Sequence, residues 1–207
     1  MSLHPYLPQD RLRALARGEP LPHRTSGSAL FADISGFTPL TESLTQTLGP
    51  RRGIEALTHQ INAVYESLIA EIEQYGGSVI GFAGDAITCW FDGADDASLR
   101  AVTAAFALQM AMEQFPTLGL KIAVTTGPAQ RFALGNPEDQ YWDTLLGRPI
   151  SRLAMAEHFA NRGEIVADEA TFQAVSTHVQ VGVWHNDGLE RFAVLHDLTH
   201  PAPPAPA

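Results

Sequence analysis

Residues 30–38, LFADISGFT, place a carboxylate, Asp33, inside an apolar run and follow it closely with a glycine. A charge at the end of a buried strand is costly unless a cation or a set of hydrogen-bond donors compensates it. A second carboxylate, Asp85, stands in residues 76–86, GGSVIGFAGDA, and both acids follow an aromatic–small pair, Phe31-Ala32 and Phe82-Ala83. Singly, Asp33 reads as an Asx turn or helix entry, and Asp85 as half of a Gly-Asp hairpin loop. Together they point to a divalent cation, because two carboxylates converging on one point repel each other unless a metal joins them. Oxygen-only ligands favour Mg2+ or Mn2+ over zinc. The stretch SGFT then runs into a helix N-terminus, where free N–H groups and the helix dipole favour phosphate. A metal site beside an anion cradle suits metal-assisted phosphoryl chemistry or nucleotide binding.

The elements that must position these groups alternate strand and helix. SALFADI is a short continuous apolar run, the pattern of a strand buried on both faces. Thr38, Pro39 and Glu42 supply an N-cap, a first-turn proline and a first-turn acid, which predicts a helix start at Thr38. Ile54, Leu57, Ile61, Val64, Leu68, Ile72 and Tyr75 recur at three and four, giving a long amphipathic helix that ends at Gly76-Gly77. SVIGF and AITCWF flank Ala83-Gly84-Asp85 as a β-hairpin. A helix from about Asp96 sets Leu99, Val102, Phe106 and Met110 on one side, and LKIAVTTG with AQRFALG suggests another hairpin around Gly127-Pro128. YWDTLLG, the helix RPISRLAMAEHFA, the strand EIVA and two late strands, HVQVGVW and ERFAVLH, complete the pattern. This order predicts an α+β sandwich related to the ferredoxin-like arrangement, with helices on one face of a sheet. Residues 1–27 read as an N-terminal arm, 28–198 as the domain, and 199–207 as a Pro/Ala-rich tail or linker.

Composition narrows the partners. The 207 residues fit one domain, large enough to bury about 70% of its unfolded surface. Thirteen Lys and Arg against 23 Asp and Glu give a formal net charge of −10, which disfavours nucleic acid and anionic membrane and leaves metal cations as intermediaries for an anionic nucleotide. The single cysteine, Cys89, lies in an apolar run, so a core thiol and a reducing compartment are expected rather than a disulfide framework. With no signal core, transit character or long apolar run, the chain reads as soluble and cytoplasmic. His178, His185, His196 and His200 show no metal-ligand spacing, DGADDAS reads as a loop and helix N-terminus, and Arg51 as one member of a surface ion pair.

LFADISGFTPLTE paired with GGSVIGFAGDA resembles the two metal motifs of the class III nucleotidyl (adenylyl and guanylyl) cyclase catalytic domain, over roughly residues 26–175. The resemblance is strongest to the first catalytic half of the soluble, bicarbonate-responsive adenylyl cyclases. It implies a ferredoxin-like palm, with a central mostly antiparallel sheet and flanking helices, and an active site shared across a head-to-tail dimer of two such domains. It implies Asp33 and Asp85 as the catalytic ligands of two Mg2+ or Mn2+ ions, with the Ile34 carbonyl as a further ligand. Backbone amides of Gly36, Phe37 and Thr38 would hold the triphosphate of ATP or GTP, and Thr144 falls at a purine-contacting position. The complementary half departs from the pattern. Gly81 stands where the purine-reading lysine belongs, and Ser151 and Met155 where the transition-state Asn and Arg belong, with Arg148 and Arg152 nearby read as solvated surface arginines. Losing one preorganised charge stabiliser costs on the order of 10² to 10³ in rate. The resemblance therefore implies the metal-bearing half of an adenylate cyclase (ATP to cyclic AMP and pyrophosphate), inactive alone and completed by a second cyclase-type domain in the same or another chain. The alternative is a cyclase-homology module that binds nucleotide or dimerises to regulate an output domain. The lysine and arginine that bicarbonate-responsive relatives use fall on Gly81 and Ala154, so bicarbonate activation is not expected.

Overall fold

The computed structural model describes residues 7–136 and 140–205. Along the chain run α1 (Gln9–Arg17), β1 (Arg24–Ser35), α2 (Phe37–Leu48), α3 (Pro50–Gln74), β2 (Ser78–Ala83), β3 (Ala86–Asp92), α4 (Ala97–Met112), β4 (Gly119–Asn136), β5 (Gln140–Leu146), α5 (Arg148–Phe159), β6 (Ile165–Asp168), α6 (Glu169–Val175), β7 (Val179–Asn186) and β8 (Arg191–Leu198). The strands form one sheet in the order β2-β3-β1-β4-β6-β8-β7, with β5 paired to β4. Every pairing is antiparallel except β4 with β6. The α+β class with a mostly antiparallel sheet and flanking helices is what the sequence led us to expect.

Alternation along β1 divides the core. Leu30, Ala32 and Ile34 join Val64, Leu68 and Ile72 of α3 and Val102 and Leu108 of α4 on one face. Ala29 joins Trp90, Ala123, Leu153 and Ala156 on the other, where α5 lies. Helices thus cover both faces, not one; α5 crosses because Leu153, Ala156 and Ala160 give it an apolar stripe against the second face.

Four local expectations are corrected. No hairpin forms at Gly127-Pro128: β4 runs through, because β1 is as long as this stretch and pairs with it from Ser35↔Gly119 to Arg24↔Gln130. The opposite edge of β4 is paired with β6 only at Ile122–Val124 and with β5 from Gln130, so Pro128, which lacks an N–H, stands where that edge is open. The α2 cap is Gly36, not Thr38, because a positive φ of 103° turns the strand directly into the helix. On α4 Val102 is buried and Leu99 and Phe106 pack half-buried against the core as expected, but Met110 is 71% exposed, and Ala97, Ala101, Ala104, Ala105, Leu108 and Met112 complete the buried face; alanines carry little hydrophobic signal yet allow the closest approach to the sheet.

The last correction concerns the ends. β1 begins at Arg24, within the stretch assigned to the arm, and α1 is tied to the sheet by an ion pair between Asp10 and the buried Arg131 of β4. The Pro/Ala segment docks: the Ala202 amide donates to Thr103 Oγ1 at 2.9 Å and the Ala205 amide to the Gln74 carbonyl at 2.8 Å. Beside it Arg100, from α4, donates to the carbonyls of Tyr75 (3.1 Å) and Asp92, which stand at the two roots of the β2–β3 hairpin.

Candidate metal and nucleotide site

The hairpin is what brings the acids together. Asp33 pairs across β1–β3 with Ala86, the residue after Asp85, and the Ile34 amide donates to the Asp85 carbonyl at 3.3 Å. Two carboxylates separated by two helices and a strand in sequence therefore stand on neighbouring backbone positions. Asp33 is half-buried and lies on the α5 side of the sheet; Asp85 is exposed on the turn, and its carboxylate has no hydrogen bond or ion pair among the described residues. Gly36 follows at once, and a Cβ there would sit 2.8 Å from the Thr117 carbonyl oxygen. Only glycine fits this strand-to-helix turn, which sets the N-terminus of the twelve-residue α2 beside Asp33.

Sequence reasoning missed Lys121. It lies opposite Asp33 in the β1–β4 register, and its Nζ is 3.1 Å from Asp33 Oδ2 while also contacting Glu157 of α5. The signal was legible: a lone lysine inside LKIAV is the same anomaly as Asp33 inside LFADI. The Glu157 hydrogen bond, with Asp33 adding to it, holds the Lys121 pKa above the usual lysine value against the opposing effect of burial. The sign follows from linkage: a raised folded pKa stabilises fully below the unfolded value of about 10.4 and is lost as pH climbs through the folded value. Lys121→Met is therefore expected to lower the melting temperature by a constant amount across neutral pH, with the gap to wild type closing only in the alkaline range above about pH 10.5. Thermal melts from pH 6 to 11.5 check this.

The donor set fits an oxygen-preferring divalent ion. Asp33 keeps Oδ1 outside the lysine contact, Asp85 is unpaired, and the Ile34 carbonyl belongs to the same strand end. Among the described residues no cluster of three or more His, Cys, Asp or Glu could hold a metal; Mg2+ is commonly held by one or two carboxylates with phosphate and water completing its shell.

The other sequence candidates lie elsewhere. Thr144 pairs with Phe132, eleven residues beyond Lys121 on β4, so it stands about 36 Å along the strand from Asp33. Ser151 is exposed and Met155 packs half-buried against the α5-side core. Arg152 corrects the surface reading: its side chain is only 14% exposed, with Nε 2.7 Å from Asp168 Oδ2. Burial pushes the Asp168 carboxyl above its ordinary range, opposed by hydrogen bonds from Thr171 and the Arg152 charge. Arg148 is exposed and pairs with Glu190. Arg51 makes the surface pair with Glu55, and Cys89 is a buried thiol whose pKa burial pushes up. A recess of about 610 Å³ is lined by Arg24, Ser26, Pro128 and Gly147 at the far end of β1. A smaller one, about 240 Å³, is lined by Phe31, Thr88, Ile150, Ala154 and Glu157 on the face that carries Asp33.

The fold is that of solved class III nucleotidyl cyclase catalytic domains. The solved structures it resembles include the adenylyl cyclase CyaB from P. aeruginosa, at 22% identity and a TM-score of 0.70 over 84% of this chain and 95% of that one. The guanylyl cyclase Cya2 matches at 21% identity and a TM-score of 0.72, over 86% of this chain and 95% of that one. The guanylate cyclase domain of RhGC from Catenaria anguillulae, solved with GTP, matches at 17% and 0.70, over 86% of this chain and 100% of that one. In sequence the chain is 22% identical over 156 residues to adenylate cyclase type 10 of Rattus norvegicus and of Mus musculus, covering 71% of this chain. It spans about a tenth of the length of those relatives. No family model matches the chain. Among the described residues no helix is long and apolar enough to cross a membrane.

Proposed function

We propose that this chain is the metal- and nucleotide-binding half of a class III nucleotidyl cyclase, converting ATP to cyclic AMP and pyrophosphate together with a second cyclase-type domain. The observation that carries this is the backbone adjacency of Asp33 and Asp85 beside a helix N-terminus reached through Gly36. Bound between the two carboxylates and the Ile34 carbonyl, two Mg2+ or Mn2+ ions would supply acidification of the ribose 3′-hydroxyl and charge relief at the phosphate it attacks. The amides of Gly36, Phe37 and Thr38 orient the triphosphate by hydrogen bonding at the positive end of α2. Lys121, in contact with both Asp33 and Glu157, keeps the Asp33 carboxylate oriented.

Geometry also supports a shared site. Thr144 stands too far along β4 to reach a nucleotide held at Asp33 of its own chain, so a purine contact from it would serve a neighbour's site. One solved relative was crystallised with GTP and another, of converted specificity, with ATPalphaS; the adenylate cyclase sequences favour ATP here, with GTP as the other choice. Residues Gly81, Ser151 and Met155 supply no charge to a complementary half, and Arg152 is committed to Asp168. That observation favours, as second reading, a cyclase-homology module without turnover that binds nucleotide or pairs with another domain to regulate an output domain.

The test is complementation. The chain alone, with ATP and Mn2+, is expected to give no appreciable cyclic AMP. Mixed with a class III domain carrying the base-reading lysine and the Asn/Arg pair, it is expected to give cyclic AMP and pyrophosphate in equal amounts. Failure of every such partner, with nucleotide still bound, would favour the module; strong turnover by the chain alone would overturn Ser151 and Met155 as non-catalytic.

A further inference from the structure

The turn that carries Asp85 is the least supported part of the proposed metal site. Phe82, Ala83, Gly84 and Asp85 are all exposed, Phe82 at 61%, and Gly84 takes a positive φ of 64°. On the β1 side the turn is held by the Ile34 amide on the Asp85 carbonyl. On the other side Tyr65 makes the ring contact and the hydrogen bond to the turn. Tyr65, on α3 between the buried Val64 and Leu68, sets its ring edge-on against Phe82 with centroids 5.7 Å apart, and its hydroxyl stands 3.5 Å from the Gly84 carbonyl oxygen. At that distance the bond is at its outer limit, so the hydroxyl is a donor placed at the turn without being fully committed there.

We propose that Tyr65 is a positioning residue for the metal site: its ring props the hairpin at Phe82 and its hydroxyl donates a long hydrogen bond to the Gly84 carbonyl, biasing the orientation in which Asp85 meets a divalent ion shared with Asp33. This rests on the metal-binding reading given above. Burial and then the charges of Asp85 and Asp33 raise the Tyr65 pKa, which places the phenol within the field of both acids. Groups that orient a ligand without touching the ion typically contribute 10- to 100-fold to metal affinity. Because the existing bond is long, the lower figure applies here.

The experiment is Mn2+ binding to the full chain by the loss of the free-ion EPR signal, comparing wild type, Tyr65→Phe, Tyr65→Leu and Asp85→Ala. Tyr65→Phe keeps the ring on Phe82, so its melting temperature should match wild type while its Mn2+ dissociation constant rises about 10-fold. Tyr65→Leu should lose more, with some loss of melting temperature. Tb3+ gives the second readout: emission excited through tyrosine at saturating metal should fall in Tyr65→Phe while its melting temperature stays at the wild-type value, as expected if the Tyr65 phenol stands beside the bound ion. Unchanged Mn2+ affinity in Tyr65→Phe, with wild-type binding intact and lost in Asp85→Ala, overturns the role of Tyr65 and leaves the metal site standing. Wild type that binds no more Mn2+ than Asp85→Ala overturns both.

Discussion

In the complemented assay, Asp85→Ala is expected to lower cyclic nucleotide formation by at least about 10²-fold, the scale of losing one preorganised electrostatic element, with no change in melting temperature. Asp85 lies exposed on a turn and its carboxylate has no hydrogen bond or ion pair among the described residues, and such surface changes usually fall within about 0.5 kcal/mol. A large functional loss with an intact fold would then reflect lost ligation alone. Asp33→Ala should lose as much activity by a different route, since it also removes one of the two carboxylates on Lys121. The ammonium keeps Glu157, so the fold should survive, with a modest drop in stability that Asp85→Ala does not show. The pair of variants separates two accounts of Asp33. If its purpose is the lysine contact, Asp33→Ala will lower the melting temperature while Mn2+ affinity, read by EPR, stays at the wild-type value. If its purpose is metal, the affinity falls in both variants together.

Arg152→Ala should unfold at much lower urea concentration, with stability reduced by about 3–5 kcal/mol, because it leaves a buried carboxylate without its cation. Asp168 is 1% exposed, caps α6 through the Thr171 amide at 2.9 Å, and faces Arg152. The same arginine donates to the Thr126 carbonyl, so it links α5 to β4 and β6 at once. Thr126 continues the connection through hydroxyl contacts with Ser28, Ser98 and Thr171 at 2.8, 3.0 and 2.8 Å. Breaking one member exposes the rest to unpaired burial, whereas replacing both charges at once, Arg152→Met with Asp168→Leu, should recover much of the loss. Mn2+ affinity of Arg152→Ala, measured well below its melting temperature, is expected to stay near wild type. A loss of complemented turnover with unchanged stability would instead mean that Arg152 reaches the nucleotide of a neighbouring domain.

How much of this was legible before the structure depends on the kind of signal each residue carries. Asp33 and Asp85 stood out because charge inside an apolar run is costly, and the glycine-bounded hairpin around Asp85 is written in local turn chemistry. The long α3 could be read from its period, and Val64, Leu68 and Ile72 are indeed buried, although Ile54 at its start is 60% exposed. Gly127-Pro128 looked like a turn because its local propensity is that of a turn, and the pairing of β1 overrode it. Arg152 looked like surface because nothing in its own helix announces Asp168, sixteen residues on and in another strand.

The sequence by itself determined the acids, the hairpin around Asp85 and the alternation of strand and helix, since all of these depend on neighbours within a few residues. Tertiary structure alone decided that Asp33 and Asp85 share adjacent backbone positions, that Lys121 stands across from Asp33, that the Tyr65 ring lies against Phe82, and that α5 covers the second face. The reason is that strand register and helix placement come from burying apolar area across the whole sheet, a global sum that no short window of residues contains.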